Sequence, residues 1–170
     1  NKYDKDVKEI APIVKEINKQ YEQLSPLTND ELRNKTIDLK AQINDFVAEE
    51  RAQINKLKEE SSSKEIPAEQ KEELYKKIDA LEKTILEKIE EILNTILPTA
   101  FAIVKETARR FTENETLEVT ASENDKELAP KKDFIIIKGD KAAYHTTWDT
   151  AGTKIKWDMI HYDVQLIGGI

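Results

Sequence analysis

Apolar residues along the first hundred and ten positions recur at helical spacing. Val7, Ile10, Val14, Ile17, Tyr21 and Leu24 step by three and four along one stripe, which predicts a helix over about Asp4 to Leu24. Pro12 lies inside it and predicts a kink or a restart, and Ser25-Pro26 ends it. Thr28 with Glu31 three residues on is a capping-box signature that opens a second helix. Its stripe is Leu32, Thr36, Leu39, Ile43 and Phe46, continued by Ile54 and Leu57. Unbroken to about Glu60, it would be about 50 Å long. Ser61-Ser62-Ser63 reads as a loop, and Pro67 suits the first turn of a third helix. That helix has the clearest stripe: Leu74, Ile78, Leu81, Ile85, Ile89, Ile92 and Ile96. Two long heptad stripes joined by a Ser-rich turn predict a long antiparallel helical hairpin. Pro98 then predicts the start of a fourth helix, apolar enough to be largely buried, ending at Phe111.

From Thr112 the period changes to that of strands. Leu117 to Thr120, Phe134 to Ile137, Ala143 to Trp148 and Thr153 to Asp158 are strand candidates, with turns near Gly139-Asp140 and at Asp149 to Gly152. Ala121 to Lys132 reads as polar loop. The expected fold is mainly α, with flanking helices around the hairpin and a small antiparallel β meander of three or four strands. Such a meander is too small to hold together alone and must lean on a helix.

Composition sharpens this. Of 170 residues, 36% are charged and 38% hydrophobic, so the core is expected as narrow seams between long elements. The net charge of -7 demotes sequence-independent nucleic-acid binding, which needs a basic face to displace counterions. With no cysteine there is neither a disulfide nor a thiolate metal site, and two isolated histidines do not make a zinc centre. No apolar run approaches the roughly 20 residues that span a bilayer. The chain opens at Asn1 without Met, stops at Ile170 inside an apolar stretch, and reads as a piece of something longer. There is no GxxxxGK[ST] loop, no GxGxxG after a strand, no HExxH and no nucleophile elbow. His145 reads as a surface or cross-strand residue, the run Glu69 to Lys77 as a solvated face, and no carboxylate pair is singled out by spacing.

One segment stands apart, Met159 to Gly169. Tyr162-Asp163-Val164-Gln165 has a plain reading as a loop entering a helix, with Asp163 as the cap. It also has a chemical one. A Gln amide offers one donor and one acceptor, matching the N6/N7 edge of adenine, and an aromatic ring and a thioether nearby can sandwich the base.

The run HYDVQLIGG, preceded by LPTAFAIVKETARRF and, earlier, by LTNDELRNKT, closely resembles the N-terminal region of the SecA family, the ATPase motor subunits of bacterial preprotein translocases. The three motifs stand in the family's order and cover roughly 1–43, 94–111 and 159–170. Segments 44–93 (the hairpin) and 112–158 (the meander) intervene, and look like lineage-specific insertions. The resemblance implies that 159–170 begins a RecA-like α/β nucleotide-binding domain, with Gln165 the glutamine of the adenine-reading Q motif and Met159 and Tyr162 lining the base pocket. His161, Asp163 and Val164 then shape the turn. It further implies ATP and Mg in the full-length protein, catalytic parts beyond Ile170, and an inactive fragment. Implied partners are the translocation channel, preproteins, an acidic lipid surface and a second copy of the chain, but no nucleic acid. The implied location is cytoplasmic, peripheral at the inner face of the cell membrane. Two other readings stand beside it. One is a helical interaction module without nucleotide chemistry. The other is a DEAD-box RNA helicase, disfavoured by the acidic charge and by the LTNDELRNKT and AFAIVKE segments.

Overall fold

The computed structural model describes residues 2–63 and 66–170, with side chains from Val7 onward. Six α-helices are assigned among them: α1 (Lys2–Leu24), α2 (Asn29–Phe46), α3 (Ala48–Ser61), α4 (Ala68–Glu113), α5 (Glu123–Leu128) and α6 (Asp163–Gly169). Five strands accompany them: β1 (Thr116–Thr120), β2 (Ile135–Lys138), β3 (Lys141–His145), β4 (Thr147–Thr150) and β5 (Thr153–Lys156). Helix accounts for 69% of the chain, and the sheets are small and antiparallel. Two compact units emerge, one formed by the chain up to Thr36 with Pro98–Ile170, the other by Ile37–Leu97.

In the second unit the stripe read from the sequence is the buried one. Ile54 of α3 and Ile78 and Ile96 of α4 are buried, and Leu74, Leu81, Ile85, Ile89 and Ile92 are half-buried. Lys88 donates to both oxygens of Glu50 at 2.9 Å, and Lys58 pairs with Glu82 at 3.6 Å. The Lys88 ammonium also lies 5.0 Å from the centre of the Phe46 ring. Two helix expectations are corrected here. The second helix is not continuous to Glu60: Val47 leaves the helix at φ -116°, ψ 11°, and is fully buried. Phe46 and Val47 are adjacent apolar residues, and the break lets Val47 turn inward while its carbonyl accepts the first bond of α3 from Arg51. Nor does a new helix begin at Pro98, which sits inside the 46-residue α4. An interior proline costs about 3 kcal/mol by removing one bond, a cost that the buried Ile96, Ala102 and Ile103 around it offset. Pro12 is likewise inside α1, which runs through it.

The first unit has its core where α1, the C-terminal part of α4 and the sheet bury Val14, Ile17, Leu24, Ala102, Ala108, Ile135, Ala142 and Ala143. One sheet has the order β1-β3-β2, and β4-β5 form a separate hairpin. The expected strand Ala143 to Trp148 is therefore two strands, split at Thr146. This residue is fully buried; its N–H donates to the Glu115 carbonyl (3.0 Å), its hydroxyl to that of Asn114 (2.7 Å), and its carbonyl accepts from Trp157 N–H (2.9 Å). Thr146 thus links the two sheets, its N–H bonded on the β1 side and its carbonyl on the β5 side. Replacing Thr146 by Val, equal in shape but unable to donate, is expected to cost about 1 kcal/mol in urea unfolding, because the Asn114 carbonyl loses its buried donor.

The expected loop 121–132 contains α5, started by a reciprocal Ser122–Asp125 capping box, and a 3-10 turn, Ala129–Lys131. The sheet does lean on a helix, as its size required. Asn29 donates to the Glu118 carbonyl (3.1 Å), Arg33 donates to that of Thr120 (3.2 Å), and Asp30 accepts from the Thr120 N–H (2.7 Å) and hydroxyl (2.8 Å).

Candidate functional site

Tyr162, extended at φ -84°, ψ 160°, precedes α6, so the cap position belongs to Tyr162 and Asp163 is the first helical residue. Gln165 is the third residue of the helix, and its Oε1 accepts the Tyr162 N–H at 2.8 Å. This is half of a capping box: the side chain satisfies one of the donors that a helix start leaves without a partner. It also fixes the amide, oxygen toward the backbone, and Nε2 has no protein partner among the described residues. Tyr162 is 74% exposed, Met159 40%, and Gln165 is exposed. Tyr162 and Gln165 are thus joined directly. Met159 is fixed through its backbone, its carbonyl accepting from the Trp157 indole (2.8 Å) and the Thr112 hydroxyl (3.3 Å). His161 is half-buried, with Nδ1 enclosed and without a hydrogen-bond partner.

The apolar side of α6 is largely covered: Leu166 is only 2% exposed and Ile167 half-buried, while Ile170 stays at 36%. Gly169 approaches Phe101 so closely that a Cβ there would sit 3.1 Å from the ring. At its start, Asp163 Oδ1 accepts from Asn18 Nδ2 of α1 at 3.0 Å. The Lys105 ammonium of α4 donates to Asn18 Oδ1 at 2.7 Å, lies 3.9 Å from Asp163, and stands 5.0 Å from the Tyr21 ring centre. The tip is therefore seated on α1 and α4.

Two charged clusters lie elsewhere in the same unit. Asp125, fully buried, accepts from Arg33, the Tyr144 hydroxyl, and the Ser122 N–H and hydroxyl. The Arg33 hydrogen bond does most to hold its carboxyl far below the usual carboxylate range, against the opposing effect of burial. Burial, with the hydrogen bond to Asp125, pushes the Tyr144 phenol up to about 12. Glu106, also fully buried, accepts from Arg109 (2.7 and 2.9 Å) and Arg110 (2.8 Å). Burial works to raise its carboxyl, but the two guanidiniums outweigh that and hold it below normal. Arg110 continues to Asn29 and to the carbonyls of Leu24 and Leu27. A cavity of about 270 Å³ between Leu32, Ile103, Phe111, Leu117 and Val119 borders both clusters. Its cations, Arg33 and Arg110, are already paired, and these clusters hold elements together. Sequence reasoning passed over both. The local signals were the Ser122-x-x-Asp125 capping-box spacing inside what read as loop, and Glu106 three and four residues before Arg109 and Arg110. Among the described residues there is no metal-binding cluster, and no helix long and apolar enough to cross a membrane.

The sequence model of the SecA DEAD-like domain matches residues 1–170. Relatives named protein translocase subunit SecA align along the chain. The Porphyromonas gingivalis protein is 49% identical over 169 residues, 99% of this chain and 15% of the relative. Those of Parabacteroides distasonis and Flavobacterium psychrophilum are each 47% identical, over 170 and 171 residues, 100% of this chain and again 15% of the relative. The alignments run through 44–93 and 112–158, so these relatives carry both segments. No solved structure matches the chain. The chain thus spans about 15% of the length of these relatives. On the match of all 170 residues, and on identity near one half to these translocase subunits, the chain belongs to the SecA family through its DEAD-like domain.

Proposed function

We propose that this chain is the start of the first nucleotide-binding domain of a translocase motor, and that residues 159–170 are its adenine-reading edge. In this reading the whole protein uses ATP and Mg to drive preproteins through a membrane channel, working from the cytoplasmic face as a peripheral protein. The observation that carries it is the Gln165 amide, held by the Tyr162 N–H beside an exposed aromatic ring. With the oxygen's orientation set, its second lone pair accepts from adenine N6, and Nε2 donates to N7. Guanine puts a carbonyl where adenine has its amino group, so the same arrangement sets oxygen against oxygen and rejects it. Met159 and Tyr162 supply apolar cover for the base. The ATP chemistry itself belongs to residues outside this chain, because phosphoryl transfer rests on a phosphate loop, Mg and acidic ligands.

Within the same reading, residues 44–93, inside the unit Ile37–Leu97, form an antiparallel helical hairpin. The order of its ion pairs supports this: the partner on α4 falls from Lys88 to Glu82 as the residue on α3 rises from Glu50 to Lys58.

Calorimetry of the whole protein and of the 170-residue chain tests the proposal. The whole protein is expected to prefer ATP to GTP. The chain alone is expected to bind ATP with at best about millimolar affinity, since base contacts without phosphate contacts recover little of the cost of association. Micromolar binding by the chain alone, or equal affinity of the whole protein for ATP and GTP, refutes it.

A further inference from the structure

Resting on the adenine-reading assignment of Gln165, we propose that Asn18 of α1, oriented by Lys105 of α4, is a positioning residue for that edge and acts through Asp163. An Asn side chain can present either end. Here Lys105 donates to Oδ1 at 2.7 Å, which turns Nδ2 toward Asp163, 3.0 Å away. Lys105 is itself confined: its side chain is 12% exposed, and its ammonium rests against the Tyr21 ring one turn further along α1. Only Asp163, at the chain's entry into α6, lies between this clamp and the Tyr162–Gln165 hydrogen bond. Leu166, one turn on from Asp163 and on the same face of the helix, is held by burial. Burial alone allows a short helix to rotate about its axis. The Asn18 contact is directional and removes that freedom, setting where the Gln165 amide points.

Coupling of this kind is reciprocal. A base bound at Gln165 favours the seated position of α1, and anything that draws α1 away weakens adenine binding.

The test is ATP and GTP binding to the whole protein carrying Asn18→Leu, Lys105→Met, Gln165→Ala, or the paired exchange Asn18→Asp with Asp163→Asn. The exchange keeps one amide, one carboxylate and the adjacent lysine, and so rebuilds the hydrogen bond with its polarity reversed. Asn18→Leu is expected to weaken ATP binding roughly five-fold, the scale of one lost hydrogen bond, with GTP unchanged. Lys105→Met should act in the same direction, and the paired exchange should restore the ATP preference. Asn18→Leu added to Gln165→Ala should cost nothing further. A normal ATP-to-GTP ratio in Asn18→Leu, while Gln165→Ala abolishes it, overturns the positioning role. So does an equal loss of both nucleotides that the exchange fails to repair, because that is the signature of general unfolding. If Gln165→Ala itself leaves the ratio unchanged, the adenine reading has failed and the positioning role goes with it.

Discussion

Replacing Gln165 with Ala in the whole protein is expected to weaken ATP binding by about ten- to a hundred-fold and to bring ATP and GTP to similar affinities. The magnitude follows from a bidentate amide–adenine pair, worth about 1–3 kcal/mol of discrimination. Loss of the Oε1 contact to the Tyr162 N–H adds a local cost at the start of α6, because that donor returns to water. Global stability should hardly change, since Gln165 is exposed while Leu166 still anchors the helix. Titration calorimetry with both nucleotides and a denaturant curve separate the two effects. Unchanged nucleotide affinity in a folded variant removes Gln165 from the site.

The second large effect is expected at Asp125. Substituting Ala removes the buried acceptor of the half-buried Tyr144 hydroxyl and of one Arg33 nitrogen, while Arg33 keeps the Thr120 carbonyl; the loss is about 3 kcal/mol, toward the lower end for a broken buried pair because Arg33 is partly exposed. Hydrogen exchange of the β1–β3 amides should accelerate by roughly two orders of magnitude, with α6 unaffected. The same network predicts a pH response. A carboxyl held below its unfolded value contributes stability that is complete above about pH 4 and is lost as pH falls toward the folded value. Tyr144, raised to about 12, contributes stability that is complete below about pH 10 and is lost between there and pH 12. The sheet should therefore loosen at both extremes in the native chain. Asp125→Asn should weaken the acid limb, leaving the part that comes from Asp30, whose carboxyl the Thr120 N–H also holds below its usual range. An acid response identical to that of the native chain would mean that Asp125 does not control it.

What the sequence disclosed, and what it withheld, divides by range. The stripes of α1 and α4 were legible because burial there repeats every three or four residues, and Val14, Ile17, Ile78 and Ile96 are buried where periodicity put them. The breaks were not. Whether Val47 interrupts a helix or Pro98 does depends on what each residue packs against, and local propensity favoured the wrong one at both places. Thr146 looked like the middle of a strand because nothing local records that Asn114 and Glu115 claim its donors. In the candidate site, a motif singles out the three proposed residues, and the loop-to-helix turn was legible through its residue types. The supports were hidden. Asn18 lies 145 positions from Asp163, and Arg33 lies 92 from Asp125, so no spacing rule relates either pair.

The way β1 meets α2 has a consequence for a protein whose relatives are named translocase subunits. An outer strand with idle amides and carbonyls invites any extended polypeptide to add itself to the sheet. Here Asn29, Asp30 and Arg33 occupy the main-chain groups of Glu118 and Thr120 that such a guest would need. Helical side chains thus cover part of the sheet's flank, and an added strand would find the Glu118 carbonyl and both main-chain groups of Thr120 already engaged.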